Sequence, residues 1–557
     1  MPFYTPANQE PGRPAASWRR GWFRQSVLLM LAMGCGVLVA NNPFRPSSEN
    51  PDATARGYLR FKEILSYVDR DYADSVDTEG LADYAVVRML EKLDPHSVYI
   101  PARDRDRTDA FLQSDFDGVG IEFNLFRDTM TVVAPLSGGP AEQAGVQPGD
   151  QVLSIGGKRV SGARLTTSQL SQLLRGPRGS SVALELRRRR LPRPINVSIA
   201  RSRIPNSSVD AAYLVDPQTG YIKVSRFASG TYDEFKTALA DLRRQGLTRL
   251  VLDLRGNPGG YLDRATRLAD EFIAGSRKIV YTDGKGDQYD SQTYARVAGE
   301  FEEGPLVVLV DEGSASAAEV VAGALQDHDR ALIVGRRTFG KGLVQQPISL
   351  SDGGELRLTI ARYYTPSGRS IQKPYGANYA EYSADVAKRA AHGELESADS
   401  THFTRELRFR TDHGRTVYGG GGIMPDVFVP RDSLVHSAYY TALLAHGVPR
   451  AFALRFFQGH KEELEALRFE QFNATFRISD AQLASLAAQA AQDGVSGDVG
   501  ALRRCAPLLR NQLKAYIARS AYGLVPYYTV LREHDPELQR ALHAVGDSTA
   551  QLALLGK

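Results

Sequence analysis

At 557 residues the chain is long enough for several domains, and its 42% hydrophobic and 24% charged content is ordinary for a globular protein. A formal net charge of only +4 gives no support for a nucleic-acid partner, and two cysteines exclude a disulfide framework and a cysteine-based zinc site. Metal signatures such as H-E-x-x-H are absent from the sequence, so we expect no metal.

Residues 1–50 predict export. The basic stretch RRGWFR precedes an apolar run from Ser26 to Ala40, and polar, proline-rich residues follow it. A positive flank before a short apolar run is typical of a secretory signal or an uncleaved anchor. The run is shorter than the ~20 residues of a comfortable membrane span, and a lipid-bearing Cys35 is an alternative. We therefore expect a periplasmic protein held at the cytoplasmic membrane by this segment, with its cleavage left open.

Residues 51–105 predict a helical region. Apolar side chains recur at helical spacing from about Ala55 to Leu93. The two apolar sets are Phe61, Ile64, Leu65 and Val68, and Val86, Met89, Leu90 and Leu93. The stretch ends at LDPHSVYI, in which we interpret His96 as a structural residue.

Residues 106–202 predict a β-rich module with glycine turns and one helical stretch, TTSQLSQLLRG. Glycines at the start of one strand allow successive backbone N–H groups to turn toward one point, and such a nest captures a carboxylate. The residues of this loop are Gly118, Val119, Gly120 and Ile121. The alternative is that these glycines only serve tight turns. The basic run Arg187–Arg190 favours a solvated hairpin over a nucleic-acid patch.

Together with PAEQAGVQPGDQVLSIGG, this loop resembles a PDZ domain across the whole stretch. The resemblance implies that a peptide C-terminus adds as a strand beside Ile121–Phe123. It also implies a helix facing that strand, near Ser168 to Leu174, so that Leu170 and Leu174 line the groove together with Ile121 and Phe123.

Residues 203–432 alternate strands and helices, which predicts an α/β core. The strand RLVLDL leads through Arg255 into GNPGG, whose glycines free backbone N–H groups for an anion, either a phosphate or an oxyanion. The strand PLVVLV leads to Ser316 at the start of a helix, among small residues. Taken alone, either Ser314 or Ser316 would be interpreted as a helix N-cap.

The stretch GRRTFGKG, Gly335–Gly342, matches the phosphate-binding pattern G-x-x-x-x-G-K. However, Gly342 stands where the motif needs Ser or Thr, and the following LVQQPISL predicts a strand instead of a helix. The chain order instead brings Lys341 to the sheet edge where Ser316 lies. A lysine whose pKa is lowered by burial from about 10.4 can serve as the base for a serine nucleophile. Gln345, on the same strand, can hydrogen-bond the amine.

A serine–histidine–aspartate triad is the competing arrangement, since QDHD places His328 between two aspartates. A helix from Ala317 to Asp327 would separate His328 from Ser316 by roughly 18 Å, at about 1.5 Å per residue. That distance excludes direct proton transfer.

These segments together resemble the C-terminal processing peptidases, a family of serine proteases. The likeness covers about Ala55 to Val429 and also includes YYTPSGRSIQ and GGGIMPDV. By position, it implies that Ser316 is the nucleophile, Lys341 the general base and Gln345 the residue that orients this lysine.

The same resemblance implies an oxyanion hole formed by the backbone N–H groups of Gly260 and Ala317, with Gly259 as the alternative to Gly260. Ala318 stands where the family more often has serine, beside the nucleophile. Residues 433–557 are rich in Ala, Leu, Arg and Glu and predict a helical C-terminal region outside the shared motifs.

The sequence thus predicts a multidomain protein, with a PDZ domain between an N-terminal helical region and an α/β protease core, followed by C-terminal helices. We expect a serine endopeptidase without cofactors that cuts protein or peptide substrates near a free C-terminus. An activating adaptor stays open as a partner. The alternatives are a non-catalytic PDZ scaffold with a degenerate protease fold, and a nucleotide-binding protein.

Overall fold

The computed structural model describes residues 51–556, apart from 127, 137, 190, 377–378, 399–404, 433–436 and 498. The signal or anchor expected in residues 1–50, with Cys35, lies outside the described residues. The chain divides into two units, one ending at Tyr84 and the other beginning at Ala85. Among the described helices, none combines the length and the apolar character that a membrane span requires.

The predicted N-terminal helical region is present as the helices Pro51–Asp71 and Thr78–Leu90. In the first helix the predicted apolar side chains of Phe61 and Ile64 remain exposed. The periodicity therefore predicted the helix correctly, and these two side chains are not part of a core.

The PDZ module is a sheet of antiparallel pairs packed against a short helix. Its main strands, in spatial order, are Ile121–Phe126, Thr129–Pro135, Gln151–Ile155, Ser181–Arg187 and Ile195–Ala200. The strand Lys158–Arg159 pairs with the third, and the helices are Pro140–Gln143 and Thr167–Leu174. A separate ribbon pairs Asp115–Gly118 with Ser202–Pro205. The first strand, which begins at Ile121, is therefore an edge strand of its sheet.

Local chemistry explains where the longer helix of this module begins. Thr166 forms a capping box, in which its hydroxyl accepts from the Gln169 N–H at 3.2 Å and the Gln169 side chain accepts from the Thr166 N–H at 2.8 Å. In the basic run, Arg187 and Arg189 are exposed as expected, whereas Arg188 pairs with the buried Asp150 at 2.7 Å.

The α/β core is a six-stranded sheet whose central strands are apolar on both faces, as expected for strands covered by helices on each side. Its strands, in spatial order, are Val209–Leu214, Thr219–Val224, Arg249–Asp253, Leu306–Val310, Leu332–Gly335 and Val427–Phe428. All neighbouring pairs are parallel except the first. The helices of this part are Thr231–Arg244, Leu262–Asp270 and Ala317–Asp327.

Parallel pairing fixes the position of the two loops that carry Gly260 and Ser316. Asp253 lies opposite Leu309, so the third and fourth strands end side by side. The loops that follow carry Gly260 and Ser316, and both emerge at the same edge of the sheet. Loops at the carboxyl ends of parallel strands are the usual place for a site in such folds.

A second sheet carries the strand with Gln345. Its strands are Val98–Ile100, Glu355–Tyr364, Lys278–Gly284 and Ser291–Tyr294 in spatial order, with Leu343–Ser349 also paired to Glu355–Tyr364. The remaining elements of this part are the helices Ala102–Leu112, Tyr379–Ser383 and Asp385–Ala391, the 3-10 turns Asp287–Tyr289 and Arg405–Leu407, and the hairpin of Arg408–Arg410 with Thr416–Tyr418.

The C-terminal region is helical, as predicted. Its helices are Ala438–Ala445, Val448–Gly459, Lys461–Glu465, Phe469–Thr475, Asp480–Gln492, Val499–Tyr522, Leu524–Leu531, Pro536–Gly546 and Ser548–Leu554, with a 3-10 turn at Arg532–His534. The helices up to Leu531 enclose a hydrophobic core of their own, which includes the buried thiol of Cys505. The helix Pro536–Gly546 packs instead against the strands of the six-stranded sheet. Polar contacts join this region to both other parts: Arg519 pairs with Glu122 of the PDZ module at 2.8 Å, and Asp535 pairs with Arg255 of the core at 2.8 Å.

Candidate active site

Ser316 lies on a sharp turn between a buried strand and the helix Ala317–Asp327. Its backbone has φ of 55° and ψ of −117°, a conformation that costs energy for a residue with a Cβ and is concentrated at functional sites. The turn is anchored by Ser314, whose buried hydroxyl donates to the Leu254 carbonyl at 2.8 Å and accepts from the Asp311 N–H at 3.0 Å. Of the two serines in GSAS, Ser314 is therefore structural.

Gly259 packs directly against the serine. A Cβ added there would lie 2.7 Å from the Cβ of Ser316 and 3.0 Å from the nitrogen of Ala317, so a larger residue has no space. The N–H of Gly259 donates to the side-chain oxygen of Asn257 at 2.9 Å. This N–H is therefore committed to holding the loop.

Gly260 differs from its neighbour. It forms a bridge with Phe227, in which the Phe227 N–H donates to the Gly259 carbonyl and the Tyr261 N–H donates to the Phe227 carbonyl, both at 2.8 Å. The N–H of Gly260 takes no part in either bond, and the residue borders the same cavity as Ser316. Its backbone N–H is thus the better placed of the two glycine donors.

Ala317 supplies a second N–H at this cavity. It is the first residue of its helix, where backbone N–H groups have no acceptor within the helix and the dipole favours negative charge. Gly260 and Ala317 therefore border the same cavity as Ser316.

One cavity unites the residues predicted from the sequence. Ser316, Lys341 and Gln345 border it together with Gly260 and Ala317. Much of its remaining wall is apolar: Phe111, Leu112, Pro258, Leu262, Leu343, Val344 and Pro347. The site therefore combines polar side chains with a largely apolar surface for a substrate, as small binding sites generally do.

Lys341 is mostly buried beside this cavity. Burial lowers the pKa of its amine below the usual range, while the negative charges of Glu319 and Asp94 act in the opposite direction. Its backbone is held on both sides, because its N–H donates to Glu319 at 2.8 Å and its carbonyl accepts from the Tyr363 hydroxyl. The point from which its side chain enters the cavity is thereby fixed.

Glu319 is a residue that the sequence reasoning missed. Its buried carboxylate accepts from the N–H groups of Ser316 and Lys341 at 2.8 Å, from Gly340 at 2.7 Å and from the Thr338 hydroxyl at 2.5 Å. One side chain thus joins the serine turn to the lysine loop. Burial raises the pKa of Glu319 to about 7, against the effect of these donors. The signal was the S-x-x-E capping pattern that begins at Ser316.

Gln345 lies on the strand Leu343–Ser349, directly opposite Thr359. Its amide nitrogen donates to the Thr359 hydroxyl at 3.3 Å. A β-bulge between Val344 and Gln345 adjusts the direction of the side chain at this point.

His328 is not close to forming a triad. It terminates the helix Ala317–Asp327, at the end remote from Ser316. Its Nδ1 bonds Asp412 at 2.8 Å and its Nε2 bonds the Lys278 carbonyl at 2.7 Å. Both ring nitrogens are thus used in holding the fold.

The nucleotide-binding alternative also fails. The stretch from Gly335 to Lys341 is followed by the strand Leu343–Ser349, where a phosphate-binding loop would require a helix. Gly335 is explained by close packing, since a Cβ there would lie 2.0 Å from the Val310 carbonyl oxygen. Within the part of the chain that the structure describes, no cluster of three or more His, Cys, Asp or Glu could hold a metal ion.

The predicted carboxylate-binding loop lies beside the edge strand of the PDZ module. The Val119 carbonyl accepts from Ala141 and the Gly120 carbonyl accepts from Leu136, and Gly120 has φ of 71°. These bonds engage the carbonyl oxygens of the loop and fix its curvature. Gly118 pairs with Ser202.

Leu170 and Leu174 do not line the groove as predicted. They lie in the core of the PDZ module, with only 0% and 5% of their surface exposed, because they face the sheet. Ile121 and Phe123 are half-buried against the same core, and Leu173 is the partly exposed leucine of the helix.

Three stretches of the chain match known families. Residues 218–378 match peptidase family S41, and residues 131–188 match a PDZ domain. Residues 439–523, within the C-terminal helices, match a family of unknown function, DUF8443.

The relatives that this chain resembles include carboxy-terminal processing proteases of bacteria. The carboxy-terminal-processing protease of Bartonella bacilliformis is 38% identical over 331 residues, which are 58% of this chain and 75% of that protein. The carboxy-terminal processing protease CtpB of Bacillus subtilis is 32% identical over 357 residues, covering 62% and 74%. Among solved structures, a photosystem II D1 C-terminal processing protease is 32% identical, covering 56% of this chain and 90% of its own, with a TM-score of 0.32.

Proposed function

This chain belongs to peptidase family S41, as a carboxy-terminal processing protease with a PDZ domain, and we propose that it cleaves with a Ser316–Lys341 dyad. The observation that carries this proposal is the single cavity bordered by both side chains and by Gln345. The lowered pKa of the buried lysine supports it, because a base must be neutral to accept a proton.

In the proposed reaction, Ser316 Oγ forms a bond to the scissile carbonyl carbon while its proton moves to Lys341 Nζ. The carbon–nitrogen bond then breaks, and the lysine returns the proton to the leaving amine. Water attacks the resulting ester, assisted by the same lysine, and releases Ser316. Gln345 holds the amine in position during both halves of the reaction.

In this proposal, the N–H groups of Gly260 and Ala317 stabilise the negative charge that develops on the carbonyl oxygen. Fixed backbone donors of this kind contribute roughly 3 to 4 kcal/mol each to the transition state. Gly259 is the weaker candidate, since its N–H already donates to Asn257.

We further propose that the PDZ module binds the substrate's C-terminus at Gly118–Ile121. The strand Ile121–Phe126 is at the edge of its sheet, where an added strand can pair with it, and the backbone loop before it can bind the carboxylate. We also propose export and attachment to the cytoplasmic membrane through residues 1–50, on the strength of the basic flank and apolar run. Membrane fractionation with and without this segment tests the attachment.

The dyad is tested with an unfolded protein substrate that has a free C-terminus. Ser316→Ala and Lys341→Ala should each lower kcat by about a thousandfold or more, with a cooperative thermal transition close to that of the unmodified protein. Lys285→Ala, which removes an exposed lysine, is the matched control and should leave kcat unchanged. Substantial turnover by either dyad variant would exclude the assignment and favour a different nucleophile or base.

A further inference from the structure

The LDPHS stretch has a carboxylate at its centre. Asp94 is 8% exposed, and its Oδ1 accepts from the N–H groups of His96 at 2.7 Å and Ser97 at 2.8 Å. Its Oδ2 accepts from the Ser97 hydroxyl at 2.6 Å. These three bonds stabilise the turn. Asp94 makes one more contact, which the turn does not require.

That contact leads toward the catalytic cavity. The Thr359 hydroxyl donates to Asp94 Oδ1 at 3.0 Å, and the Thr359 N–H donates to the Ser97 hydroxyl at 3.1 Å. The same Thr359 hydroxyl oxygen accepts from Gln345 Nε2 at 3.3 Å. A chain of side chains therefore runs from Asp94 through Thr359 to Gln345.

The direction of these bonds is set by chemistry. An ionised carboxylate only accepts hydrogen bonds, and Thr359 has a single hydroxyl proton, which it must give to Asp94. Toward Gln345 the threonine oxygen can then only accept, so it faces the amide nitrogen. The carbonyl oxygen is the other branch of the planar Gln345 amide, so this bond leaves it free to accept from the side-chain amine of Lys341, which borders the same cavity.

We propose that Asp94 is a positioning residue, which acts through Thr359 to hold the Gln345 amide with its carbonyl oxygen available to Lys341. This inference rests on the proposed function, in which Gln345 orients the lysine. The Ser316–Lys341 dyad by itself gives the LDPHS stretch no function. The proposal gives this stretch a role in the reaction.

Two pairs of variants test the acceptor and the donor separately. Asp94→Ala removes the acceptor, so the Thr359 proton can turn toward Gln345 and reverse its amide. Asp94→Asn should retain most of kcat, because the two backbone N–H groups require its oxygen to stay at the Oδ1 position. Thr359→Val should impair kcat and Thr359→Ser should retain it, since serine keeps the hydroxyl.

We expect Asp94→Ala and Thr359→Val to lower kcat by about tenfold or more, with KM nearly unchanged. The assays are run at a pH where the rate no longer rises, so that the charge on Lys341 is the same in all variants. Asp352→Ala, an exposed aspartate in the turn between Leu343–Ser349 and Glu355–Tyr364, is the control and should keep its kcat. If Asp94→Ala does not fold, the Thr359 pair decides, and equal kcat for valine and serine overturns the proposal.

A double-mutant cycle separates this inference from the proposed function. On a Gln345→Ala background, Thr359→Val should cause no further loss of kcat if it acts through Gln345. The same fold loss on both backgrounds would overturn the positioning role and indicate a general structural effect. A Gln345→Ala protein with full kcat would instead contradict the proposed role of Gln345 itself.

Discussion

The guanidinium of Arg255 forms a two-pronged ion pair with the carboxylate of Asp535, with nitrogen–oxygen distances of 2.9 and 2.8 Å. Arg255 follows the strand Arg249–Asp253 and precedes the glycine loop that reaches Gly260. Asp535 precedes the helix Pro536–Gly546 in the C-terminal region and caps it, accepting from the Leu538 N–H at 2.9 Å. The last helices of the chain are therefore bonded to the base of the loop that supplies a proposed oxyanion donor.

Asp535→Ala tests this connection. The change leaves the largely buried Arg255 without one carboxylate and removes a helix cap, although Asp253 and Glu537 still contact the guanidinium. We expect the free energy of unfolding to fall by about 3 kcal/mol, measured by chemical denaturation. We also expect kcat to fall more than KM rises. Glu463→Ala, an exposed change in the same helical region, is the control. An unchanged unfolding curve would contradict the prediction.

Glu319→Gln should damage the link between the serine turn and the lysine loop. Four donors converge on the carboxylate, and an amide presents an NH2 group to some of them. A buried donor without an acceptor costs about 1 to 3 kcal/mol, so both stability and kcat should fall. Thermal unfolding and steady-state kinetics measure the two losses. Normal kcat in a protein of normal stability would show that the carboxylate is dispensable.

The pH dependence of the rate should report Lys341. Its folded-state pKa is lowered by burial, so kcat/KM should rise with pH and reach a plateau below the range of an ordinary lysine. Asp94 raises the pKa of this lysine through its charge, so Asp94→Asn should shift the rising limb to lower pH. Asp352→Asn, the exposed control, should leave the limb in place. A shift to higher pH on neutralising Asp94 would contradict the assignment of this limb to Lys341.

A substrate's free carboxylate should matter for binding to the PDZ module. Charge-assisted hydrogen bonds are roughly twice as strong as neutral ones, and amidation replaces the acceptor by a donor. Calorimetry on the full-length Ser316→Ala protein should therefore give an affinity at least about tenfold higher for a free-acid peptide than for its amide. The amide should also be cleaved more slowly by the active protein. Equal affinities and equal rates would leave C-terminal recognition without support.

His328→Ala should separate fold from chemistry. Both ring nitrogens of His328 have partners in the fold, and the residue is distant along its helix from Ser316. We expect a lower melting temperature with most of kcat retained at a temperature where the protein is folded. Loss of turnover in the folded variant would instead support a serine–histidine–aspartate triad.

Local patterns in the sequence were sufficient to predict several parts of the site. The helix Ala317–Asp327 has the predicted bounds, and the strand after Lys341 is where its apolar run placed it. The order of strands and helices was enough to bring Lys341 and Ser316 to one edge. The choice between Gly259 and Gly260 required the structure, because it depends on which N–H donates to Asn257.

Contacts between distant segments could not be predicted in the same way. Asp94 and Thr359 are separated by 265 positions, and Arg255 and Asp535 by 280. No periodicity or motif within one chain relates such residues. Leu170 and Leu174 were misplaced for a related reason: a leucine stripe on a short helix does not tell whether it faces a groove or a core.

The C-terminal helices contact two parts of the same chain. Arg519 pairs with Glu122 of the PDZ module, and Asp535 pairs with Arg255 of the α/β core. For protein engineering this makes the PDZ module a poor candidate for exchange on its own. A chimera with the PDZ module of a relative would need an acidic residue at the position of Glu122. Otherwise it would also need the C-terminal helices of that relative. Swaps that move both parts together should preserve the contact at Glu122, provided that the imported helices keep an acidic residue opposite Arg255. Single-module swaps that lack an acidic residue at position 122 should lose this contact even when the foreign module folds well.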